Sequence, residues 1–369
     1  MANIIILGSM AESLINFRGE LLNDFIVEGH TVFACAPNAS ESIKNELLKM
    51  GVIYRNVKIS RVGMNPLYDF VLLLSMINKF RSIKADVFIG YTIKPVIYGS
   101  IAARFVGVPR IYSIITGLGY AFIGETVKSK VIRILVSYLY AFALQFNKKV
   151  FFQNNDDSQL FQKRKFVNKD QVVVLNGSGV NIEKFSITPF PEELSFLLIA
   201  RLLKDKGVYE YIKASRVIKT KYPKVQFCLV GWIDENPSSI SKDDLQSWIN
   251  EGLVDYLGKM TDVRPAISAC SVYVLPSYRE GTPRTVLEAM AMGRPIITTD
   301  APGCRDTVCH GSNGFLVPVR DTVILAQMME RFVENRILIE KMGKKSRKIA
   351  EKKYDVRKVN QIIIKNLGL

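Results

Sequence analysis

The sequence predicts an α/β protein built from two doubly wound domains, each with a parallel sheet covered by helices on both faces. Short apolar runs typical of buried strands alternate with helical patterns along the chain. The alternation stops once, at a stretch rich in glycine and proline, and then begins again. The length of 369 residues also exceeds what one hydrophobic core comfortably supports, which favours two domains.

The first domain is predicted over residues 1–180. It begins with an apolar strand at Asn3–Leu7 that ends in Gly8, and a loop, a helix from about Phe17 to Glu28 and a strand at Thr31–Ala36 follow. Further strands are expected at 52–58, 86–89, 110–115, 150–153 and 172–175. The loop after Gly8 lacks the glycine spacing of a dinucleotide-binding fingerprint, which argues against a nicotinamide site.

Residues 181–193 are predicted to form an interdomain linker, because glycine and proline cluster around them. The second domain is predicted over 194–355, with strands expected at 194–200, 225–230, 254–257, 272–275, 295–298 and 315–317. A final helix is expected over 356–369.

The net charge of +16 predicts an anionic partner. An apolar segment at 131–147 is flanked by basic residues, and each basic group near an anionic bilayer contributes about 1 kcal/mol to binding; the residues are Lys128, Lys130, Arg133, Lys148, Lys149 and the triplet Lys163, Arg164 and Lys165. We therefore expect an anionic membrane surface as a partner. Nucleic acid is not expected, because no zinc-finger, RRM or KH signature is present.

The segment at 131–147 is too short and too polar to span a membrane, so we expect a buried or interfacial helix there. The five cysteines are odd in number and scattered, and no signal peptide precedes them. These features predict a protein of the reducing cytoplasm that binds a membrane surface only peripherally.

Two glutamates lie eight residues apart around a predicted helix start in the segment YREGTPRTVLEAMAMG. Glu280 precedes Gly281, Thr282 is a favoured N-cap residue, Pro283 suits the first helical position, and Glu288 falls inside the helix. Backbone N–H groups at a helix start suit a phosphate, and carboxylates beside them can bind sugar hydroxyls. The alternative is two acidic residues that merely favour a helix start.

A second motif, RLLKDKG, follows the apolar run at 194–200. Ligands of open α/β sheets bind beyond the carboxyl ends of the strands, so Arg201 and Lys206 are expected to point into a crevice. Arginine can bind a diphosphate through two parallel hydrogen bonds, and lysine adds a mobile charge. An ordinary solvated basic loop is the alternative.

Together these motifs resemble the retaining family-4 glycosyltransferases of the GT-B fold. The resemblance implies two Rossmann-like domains that face each other across a cleft, an acceptor in the first domain, a nucleotide-sugar in the second, and a last helix at 356–369 that crosses back to the first domain. It implies catalytic roles for Arg201, Lys206 and Glu280, with both cations on the donor diphosphate. Glu280 is expected to bind the donor sugar beside Gly281, Thr282 and Pro283, and Glu288 the ribose.

Smaller details are similar to bacterial polysaccharide and glycan-assembly enzymes, including N-acetylgalactosaminyltransferases that extend undecaprenyl-diphosphate-linked sugars. The segments are EGTPR from Glu280, PGCRD from Pro302 and TGLG from Thr116. This likeness implies a UDP-N-acetylhexosamine donor, with N-acetylgalactosamine favoured, and a lipid-linked saccharide acceptor.

The sequence departs from the family at Thr116 and Gly117, which stand where many members carry a histidine. Asn16 and Arg18 are further candidates for contact with the diphosphate or the acceptor, with a helix cap and a surface cation as the alternative. Trp232, in one of two loops expected near the base, is a candidate stacking platform.

No cofactor and no metal are expected. The chain lacks an Asp-x-Asp motif, and its two histidines, His30 and His310, both have structural explanations. The expected mechanism is retaining transfer in which the acceptor hydroxyl attacks on the leaving-group face. Two other interpretations remain open: a UDP-sugar 2-epimerase of the same fold, and a non-catalytic basic protein that binds a membrane or nucleic acid.

Overall fold

The computed structural model describes residues 1–60, 66–118, 127–234 and 236–369, with side chains described from 67 and from 132 in the second and third of these ranges. The chain divides into two compact units. Unit 1 comprises Met1–Ser178 and Arg357–Leu369, and unit 2 comprises Gly179–Val356. Residues 181–193, predicted as a linker, are counted with unit 2.

Unit 1 contains a seven-stranded parallel sheet in the order β3-β2-β1-β4-β5-β6-β7. All seven predicted strands are confirmed, and their bounds are β1 Asn3–Leu7, β2 Thr31–Ala36, β3 Ile53–Asn56, β4 Val87–Tyr91, β5 Arg110–Ile115, β6 Lys149–Phe152 and β7 Val172–Val174. The chain moves outward from β1 to β3 and then returns to place β4 beside β1. The strand order therefore reverses between β1 and β4, which is the switch point of a doubly wound sheet.

The helices of unit 1 cover both faces of this sheet. They are α1 Glu12–Asn16, α2 Gly19–Val27, α3 Glu41–Lys49, α4 Pro66–Ile83, α5 Ser100–Phe105, α6 Val127–Leu144 and α7 Asn155–Lys163, with a π-helical turn at Pro95–Gly99 and a 3₁₀ turn at Lys169–Gln171. The predicted helix from Phe17 to Glu28 is wrong at its start, because α1 ends before Phe17 and α2 begins at Gly19.

Alternate side chains of β1 pack on opposite faces of the sheet, in two different apolar layers of unit 1. Ile4 and Ile6 pack in the layer that contains α2, whereas Ile5 and Leu7 pack in the layer that contains α4 and α5. All four side chains are fully buried. A strand covered on both faces needs this continuous apolar sequence, and this explains why the strand was readable from its pattern.

The last helix, α14 at Val356–Leu367, completes the core of unit 1. Val359, Ile363 and Leu367 are buried in the same cluster as α2 and β1. Tyr112 Oη donates to the Leu367 carbonyl at 2.9 Å, so the end of the chain is fixed to β5.

Unit 2 contains a six-stranded parallel sheet in the order β10-β9-β8-β11-β12-β13. The strands are again where they were predicted, with bounds β8 Ser195–Ile199, β9 Gln226–Val230, β10 Asp255–Tyr256, β11 Val272–Leu275, β12 Ile296–Thr299 and β13 Gly314–Val317. Here the order reverses between β8 and β11. Two parallel-sheet α/β domains are thus confirmed.

The helices of unit 2 are α8 Val208–Lys221, α9 Lys242–Asn250, α10 Arg264–Ser268, α11 Arg284–Ala291, α12 Thr322–Glu334 and α13 Ile337–Ile349. Short 3₁₀ turns lie at Lys204–Lys206 and Arg305–Thr307, and a π-helical turn lies at Ala350–Tyr354. Phe196 and Leu198 of β8 pack with α8, whereas Leu197 and Ile199 pack with α11.

Arg294 is fully buried just before β12 and holds the segment at 188–189 in place. Its guanidinium donates to the carbonyls of Thr188 at 3.0 Å, Pro189 at 2.9 Å, Ile267 at 3.0 Å and Ser268 at 3.0 Å. A buried cation with this many acceptors is satisfied, so Arg294 is a structural residue.

Candidate functional site

The two sequence motifs of unit 2 lie at its switch point. Arg201 and Lys206 follow β8, Glu280 follows β11, and these two strands are hydrogen-bonded neighbours at which the strand order reverses. The carboxyl ends of parallel strands at such a point are where doubly wound folds bind ligands. The topology therefore brings together two segments that are separated by 74 residues in the chain.

The loop that carries Lys206 is fixed directly against the segment that carries Glu280. The Asp205 carbonyl accepts from the Tyr278 N–H at 2.8 Å and from Ser277 Oγ at 3.1 Å. Gly207 has φ +72°, and a Cβ at this position would lie 2.2 Å from the Pro276 carbonyl oxygen. Only glycine allows this left-handed, close approach.

Lys206 and Glu280 form an ion pair, with Nζ 2.6 Å from Oε1. Ser277 Oγ donates to the same carboxylate oxygen at 2.9 Å. Both side chains are mostly buried, at 14% and 17% exposed, so the pair is only weakly screened by solvent. Two residues predicted to act on one ligand thus lie in direct contact.

Arg201 is held by a carboxylate on the neighbouring strand connection. Its Nη1 lies 3.0 Å from Oδ2 of Asp234, which follows β9. This differs from the alternative interpretation of 201–206 as an ordinary solvated basic loop, because each of the two cations is paired with an acid. These ion pairs orient both side chains at the carboxyl edge before any ligand binds.

The helix start in the second motif differs from the prediction by one residue. Pro283 is the N-cap residue rather than the first helical residue, and Thr282 is not the cap. Pro283 has ψ 109°, which is extended, while its carbonyl already accepts from the N–H groups of Val286 at 3.1 Å and Leu287 at 3.3 Å. The helical backbone conformation is unfavourable for a residue that precedes proline, so Thr282 does not extend the helix towards the N-terminus.

The backbone of Glu280 and Gly281 rests against Gly303. Gly303 has φ +77°, and a Cβ there would lie 2.3 Å from the Glu280 carbonyl oxygen and 2.4 Å from that of Gly281. The Glu280 N–H donates to the Pro302 carbonyl at 3.0 Å. The PGCRD segment therefore supports the backbone of Glu280 and Gly281, and this close packing explains why a glycine stands at position 303.

Glu288 lies one helical turn after the start of α11, and it forms an ion pair with Arg284, the first residue of that helix. Its Oε1 lies 2.9 Å from Nε of Arg284, and its side chain is 10% exposed. Burial raises the pKa of Glu288 above its ordinary value, and the nearby Arg284 guanidinium only partly offsets this effect.

The two loops expected near a base lie next to each other at the ends of β9 and β10. The Gly231 N–H donates to the Gly258 carbonyl at 2.9 Å, and Tyr256 Oη donates to the Gly231 carbonyl at 2.9 Å. Lys259 Nζ lies 4.9 Å from the centroid of the Trp232 ring. Trp232 is half-buried, with a face engaged by this lysine.

In unit 1 the candidate residues lie along the carboxyl edge of β1, β4 and β5. Thr116 and Gly117 directly follow β5, are half-buried, and Gly117 has φ +114°. The remainder of that predicted loop, residues 119–122, lies outside the described residues. Asn16 is exposed at the end of α1.

Arg18 is not the surface cation of the alternative interpretation, because only 3% of it is exposed. Its guanidinium carbon lies 5.2 Å from the centroid of the Tyr91 ring, at the end of β4. Tyr91 Oη in turn exchanges a hydrogen bond with Ser13 Oγ at 2.8 Å. Arg18 therefore lies at the switch point of unit 1.

Both histidines have the structural roles that were predicted. His30 Nδ1 accepts from the Ala2 N–H at 3.2 Å, and His310 Nδ1 accepts from the Leu316 N–H at 3.1 Å. Burial raises the pKa of Cys304 to about 12, so its thiol is a poor metal ligand. Among the described residues, no three His, Cys, Asp or Glu side chains gather where they could hold a metal ion.

Of the basic residues predicted to face a membrane, Lys128 and Lys130 lie outside the residues whose side chains are described. Lys148 and the Lys163–Arg164–Lys165 triplet are exposed, whereas Lys149 and Arg133 are half-buried. None of the helices in the described ranges combines the length and the apolar character needed to cross a bilayer.

Three residues that organise the site were missed by the sequence analysis: Ser277, Asp234 and Arg284. Arg284 could have been found, because a spacing of four residues places it beside Glu288 on a helix. Ser277 lies only three residues before Glu280, but no sequence pattern indicates that its hydroxyl turns towards that carboxylate. The contact of Asp234 with Arg201 depends on which strands are neighbours in the sheet, and single-sequence patterns do not contain that information.

Comparison with known proteins agrees with this arrangement. The model of the family described as "Glycosyl transferases group 1" matches residues 180–349. The N,N'-diacetylbacillosaminyl-diphospho-undecaprenol alpha-1,3-N-acetylgalactosaminyltransferase of Campylobacter jejuni is 26% identical over 340 residues, with 88% of each chain covered. The UDP-Gal:alpha-D-GlcNAc-diphosphoundecaprenol alpha-1,3-galactosyltransferase of Escherichia coli is 27% identical over 285 residues, which cover 73% of this chain and 72% of the relative.

Among solved structures, HepE of Anabaena in complex with UDP and glucose matches the whole of both chains with a TM-score of 0.80. The sequence identity is 18%, so this match concerns the fold alone. It confirms the predicted GT-B fold for the two doubly wound units.

Proposed function

This chain is a glycosyltransferase of the GT-B fold with a group 1 domain at residues 180–349, and from that premise we propose that it transfers an N-acetylhexosamine from a UDP-sugar to a polyprenyl-diphosphate-linked saccharide. The observation that carries the proposal is the contact between Lys206 and Glu280 at the switch point, with Arg201 held on the adjacent strand connection. A cationic group for a diphosphate and a carboxylate for sugar hydroxyls lie side by side there.

The donor is proposed to lie along this edge of unit 2. Arg201 and Lys206 neutralise the diphosphate as it departs, which is the charge that develops in the transition state. Glu280 binds hydroxyls of the donor sugar, together with the backbone at Gly281, Thr282 and Pro283. Lys206 can exchange its contact with Glu280 for one with phosphate without a large movement, because its Nζ already lies at the site.

Glu288 is proposed to hold the ribose, and the loops at 231–232 and 258–260 the base. Glu288 is largely buried, so a hydrogen bond from a ribose hydroxyl would replace little water and would be correspondingly strong. The adjacency of Gly231 and Gly258 supports a single base site built from both loops.

Transfer is proposed to retain the configuration of the sugar. The acceptor hydroxyl attacks the anomeric carbon on the face from which the diphosphate leaves, the new C–O bond forms as the old one breaks, and the proton passes to the departing phosphate oxygen. No side chain is required as a nucleophile. Asn16, Arg18, Thr116 and Gly117, at the carboxyl edge of unit 1, are proposed to contact the acceptor or the diphosphate.

The choice of substrates follows the relatives. Both are named for transfer to a sugar linked to undecaprenyl through a diphosphate, and one is named an N-acetylgalactosaminyltransferase. We therefore place N-acetylgalactosamine first as the transferred sugar, in bacterial surface glycan assembly at the inner face of the membrane. The same names favour transfer over a UDP-sugar 2-epimerase or a non-catalytic protein.

No metal is proposed to take part, since Arg201 and Lys206 supply the positive charge on the diphosphate. Full activity is expected after treatment with EDTA, measured as UDP release in the presence of the acceptor. A requirement for added Mg²⁺ or Mn²⁺ would contradict this part of the proposal.

The decisive experiment measures sugar transfer by the purified protein from a panel of UDP-sugars to a synthetic undecaprenyl-diphosphate-linked saccharide. Arg201→Ala is expected to lower the rate by about a hundredfold, which corresponds to the loss of one charged contact in a desolvated site. Arg216→Ala is the matched control, because Arg216 also pairs with a carboxylate, Glu251 at 2.6 Å, but lies exposed on α8. Equal rates for the two variants, with a verified donor, would contradict the assignment.

A further inference from the structure

Helix α4 exposes large apolar side chains to solvent. Phe70, Val71 and Leu74 are 60%, 62% and 46% exposed. Their spacing of one, three and four residues places them on one side of the first half of the helix. A contiguous apolar stripe of this kind on a surface helix marks a contact with another apolar phase.

Helix α6 carries a second stripe of the same kind. Ile134, Tyr138 and Phe142 recur every four residues and are 58%, 73% and 50% exposed, and Leu135 lies beside them. The opposite side of α6 is buried, with Val136, Tyr140, Ala143 and Leu144 packed in the core of unit 1. The exposed side is therefore a second apolar surface and not the core-facing side of the helix.

The two stripes lie on the same face of the sheet. In a doubly wound sheet the connections that follow the switch point all cover one face, because each parallel crossover is right-handed. The connections from β3 to β4 and from β5 to β6 contain α4 and α6. Leu73 of α4 packs in the same core cluster as Val136 and Tyr140 of α6, which shows that the helices share one apolar layer beneath their exposed sides.

The α4 stripe also lies near the carboxyl edge of the sheet. Asp69, beside Phe70 in the first turns of α4, forms an ion pair of 2.6 Å with Lys94, three residues beyond the end of β4. Tyr98 Oη donates to the same carboxylate at 3.0 Å. The apolar stripe is therefore tied to the edge of the sheet at which Thr116 follows the adjacent strand, β5.

Basic residues border this surface. Arg164 Nη1 donates to Ser137 Oγ at 3.4 Å, which places Arg164, the middle residue of the Lys163–Arg164–Lys165 triplet, against α6. All three basic residues are exposed. A second copy of a chain with net charge +16 would bring like charges together at such a surface, whereas an anionic lipid surface is complementary to it.

We propose that the exposed sides of α4 and α6 insert together into the interface of an anionic lipid bilayer, with the Lys163–Arg164–Lys165 triplet on the lipid headgroups. Within this membrane-facing surface, the α4 side chains Phe70, Val71 and Leu74 lie nearest the carboxyl edge of the sheet, where Thr116 follows β5. A bilayer held there would bring the lipid-linked end of the acceptor to Thr116. This inference rests on the proposed function for its biological meaning, but lipid binding itself is measured without turnover.

The test compares the wild type with a triple variant, Phe70→Ser, Val71→Ser and Leu74→Ser, in co-sedimentation with phosphatidylcholine vesicles with and without phosphatidylglycerol. The wild type is expected to bind the anionic vesicles and to keep a part of that binding at high salt, because insertion of apolar side chains is not screened. The triple variant is expected to lose that salt-resistant part, with partitioning reduced about tenfold or more. Replacing Lys163, Arg164 and Lys165 by glutamine is expected to remove the salt-sensitive part instead.

The matched control is Val27→Ser with Leu48→Ser, since these side chains are 77% and 72% exposed on α2 and α3, which cover the other face of the same sheet. This variant is expected to bind vesicles as the wild type does. Thermal unfolding verifies that each variant is folded, and transfer to a water-soluble acceptor analogue verifies that the donor site is intact. Loss of that transfer in all variants would contradict the proposed function. The vesicle co-sedimentation would still test the lipid-binding inference, because it is measured without turnover.

Three results would overturn the inference. The first is wild-type protein that fails to bind anionic vesicles at any salt concentration. The second is an α4 variant that binds as the wild type does at high salt. The third is sedimentation of the wild type as a dimer that the α4 substitutions convert to a monomer, which would assign the surface to a second copy of the chain.

Discussion

Glu288 and Arg284 show how the same pairing can serve a site in one place and only a surface in another. Another glutamate with a basic partner four residues away is Glu340, which pairs with Lys344 at 2.5 Å, and that pair is exposed on α13. Water therefore screens the exposed Glu340–Lys344 pair strongly and the largely buried Glu288–Arg284 pair only weakly.

Glu288→Gln is expected to lower sugar transfer by about a hundredfold, or on the order of 3 kcal/mol, while the protein remains folded. Glutamine keeps an oxygen that can accept from Arg284 but loses the charge proposed to hold the ribose. Glu340→Gln is the control, and its transfer rate is expected to equal that of the wild type. Steady-state rates with a saturating acceptor check both expectations, and a Glu288→Gln enzyme of normal rate would exclude a role for this carboxylate.

The raised pKa of Glu288 predicts a pH dependence of donor use. Because burial favours the protonated carboxyl, ionisation is delayed to a pH above the ordinary glutamate value of 4.5. If the carboxylate holds the ribose, kcat/KM for the donor rises with pH through this raised pKa. The pH profile of the Glu288→Gln variant is expected to lack that rise, and an unchanged acidic limb would assign it to another group.

The same pKa has a consequence for stability with the opposite sign. Between the pKa of the unfolded chain and the raised pKa of the folded protein, the folded state binds more protons. The contribution of Glu288 to the free energy of unfolding therefore decreases as pH rises through that interval, and it is constant below and above it. Thermal unfolding of the wild type and of Glu288→Gln across this pH range measures the difference.

At the scale of elements, the loops that follow the strands are fixed by backbone contacts that only glycine permits. Gly303 illustrates this, and Gly311 provides the contrast, because the two residues have nearly the same φ, +77° and +78°. A Cβ on Gly303 would meet the carbonyl oxygens of Glu280 and Gly281, whereas a Cβ on Gly311 would meet no atom within 4 Å. Substitutions at these two residues therefore distinguish the effect of backbone strain from that of displacing the backbone of Glu280 and Gly281.

Gly311→Ala is expected to cost about 1 kcal/mol of stability from the left-handed backbone alone and to leave transfer unchanged. Gly303→Ala is expected to have the same strain and, in addition, to push the Glu280 segment away and reduce transfer at least tenfold, since misplacement of about 1 Å at a catalytic group has effects of this size. Thermal unfolding and transfer rates are measured for both variants. Similar rates would show that the PGCRD segment does not position Glu280.

The strands could be predicted from the sequence alone, but the ion-pair partners of Arg201 and Lys206 could not. Ile4–Leu7 and 196–199 are apolar at every position because both faces of each strand are covered, and that pattern is visible in a single sequence. The ends of helices were less predictable. Thr282 has the chemistry of an N-cap, yet the helix begins at Arg284, one residue later than predicted, because Pro283 itself takes the capping position.

Pairings between elements could not be predicted, because they depend on strand order. Arg201 meets Asp234 since β9 lies beside β8, and Lys206 meets Glu280 since β11 lies on the other side of β8. The motifs identified which residues belong to the site, while the topology determined which acid holds which cation. The roles of these residues toward a bound donor remain the proposals stated above.

At the scale of the whole molecule, the last helix, α14, belongs to the same hydrophobic core of unit 1 as the first strand, β1. Ile363 of α14 is fully buried in the core of unit 1, so Ile363→Ala is expected to lower the stability of that unit by about 2–5 kcal/mol. Lys365→Ala on the exposed side of the same helix is the control and is expected to change it by less than about 0.5 kcal/mol. Hydrogen exchange of β1 and β5 amides measures the effect within unit 1, and equal protection in both variants would contradict the packing described for α14.

The assignment of Arg357–Leu369 to unit 1 has a consequence for the way the protein is made. A ribosome synthesises residues 1–178 first, but residues 357–369, which pack in their core, are synthesised only after unit 2. Unit 2 is continuous in sequence and has all its residues available earlier. Domains generally fold as units during synthesis, and the usual order is N-terminal first. In this chain the order is expected to be reversed: residues 1–178 wait, with part of their apolar surface uncovered, until residues 357–369 have left the exit tunnel.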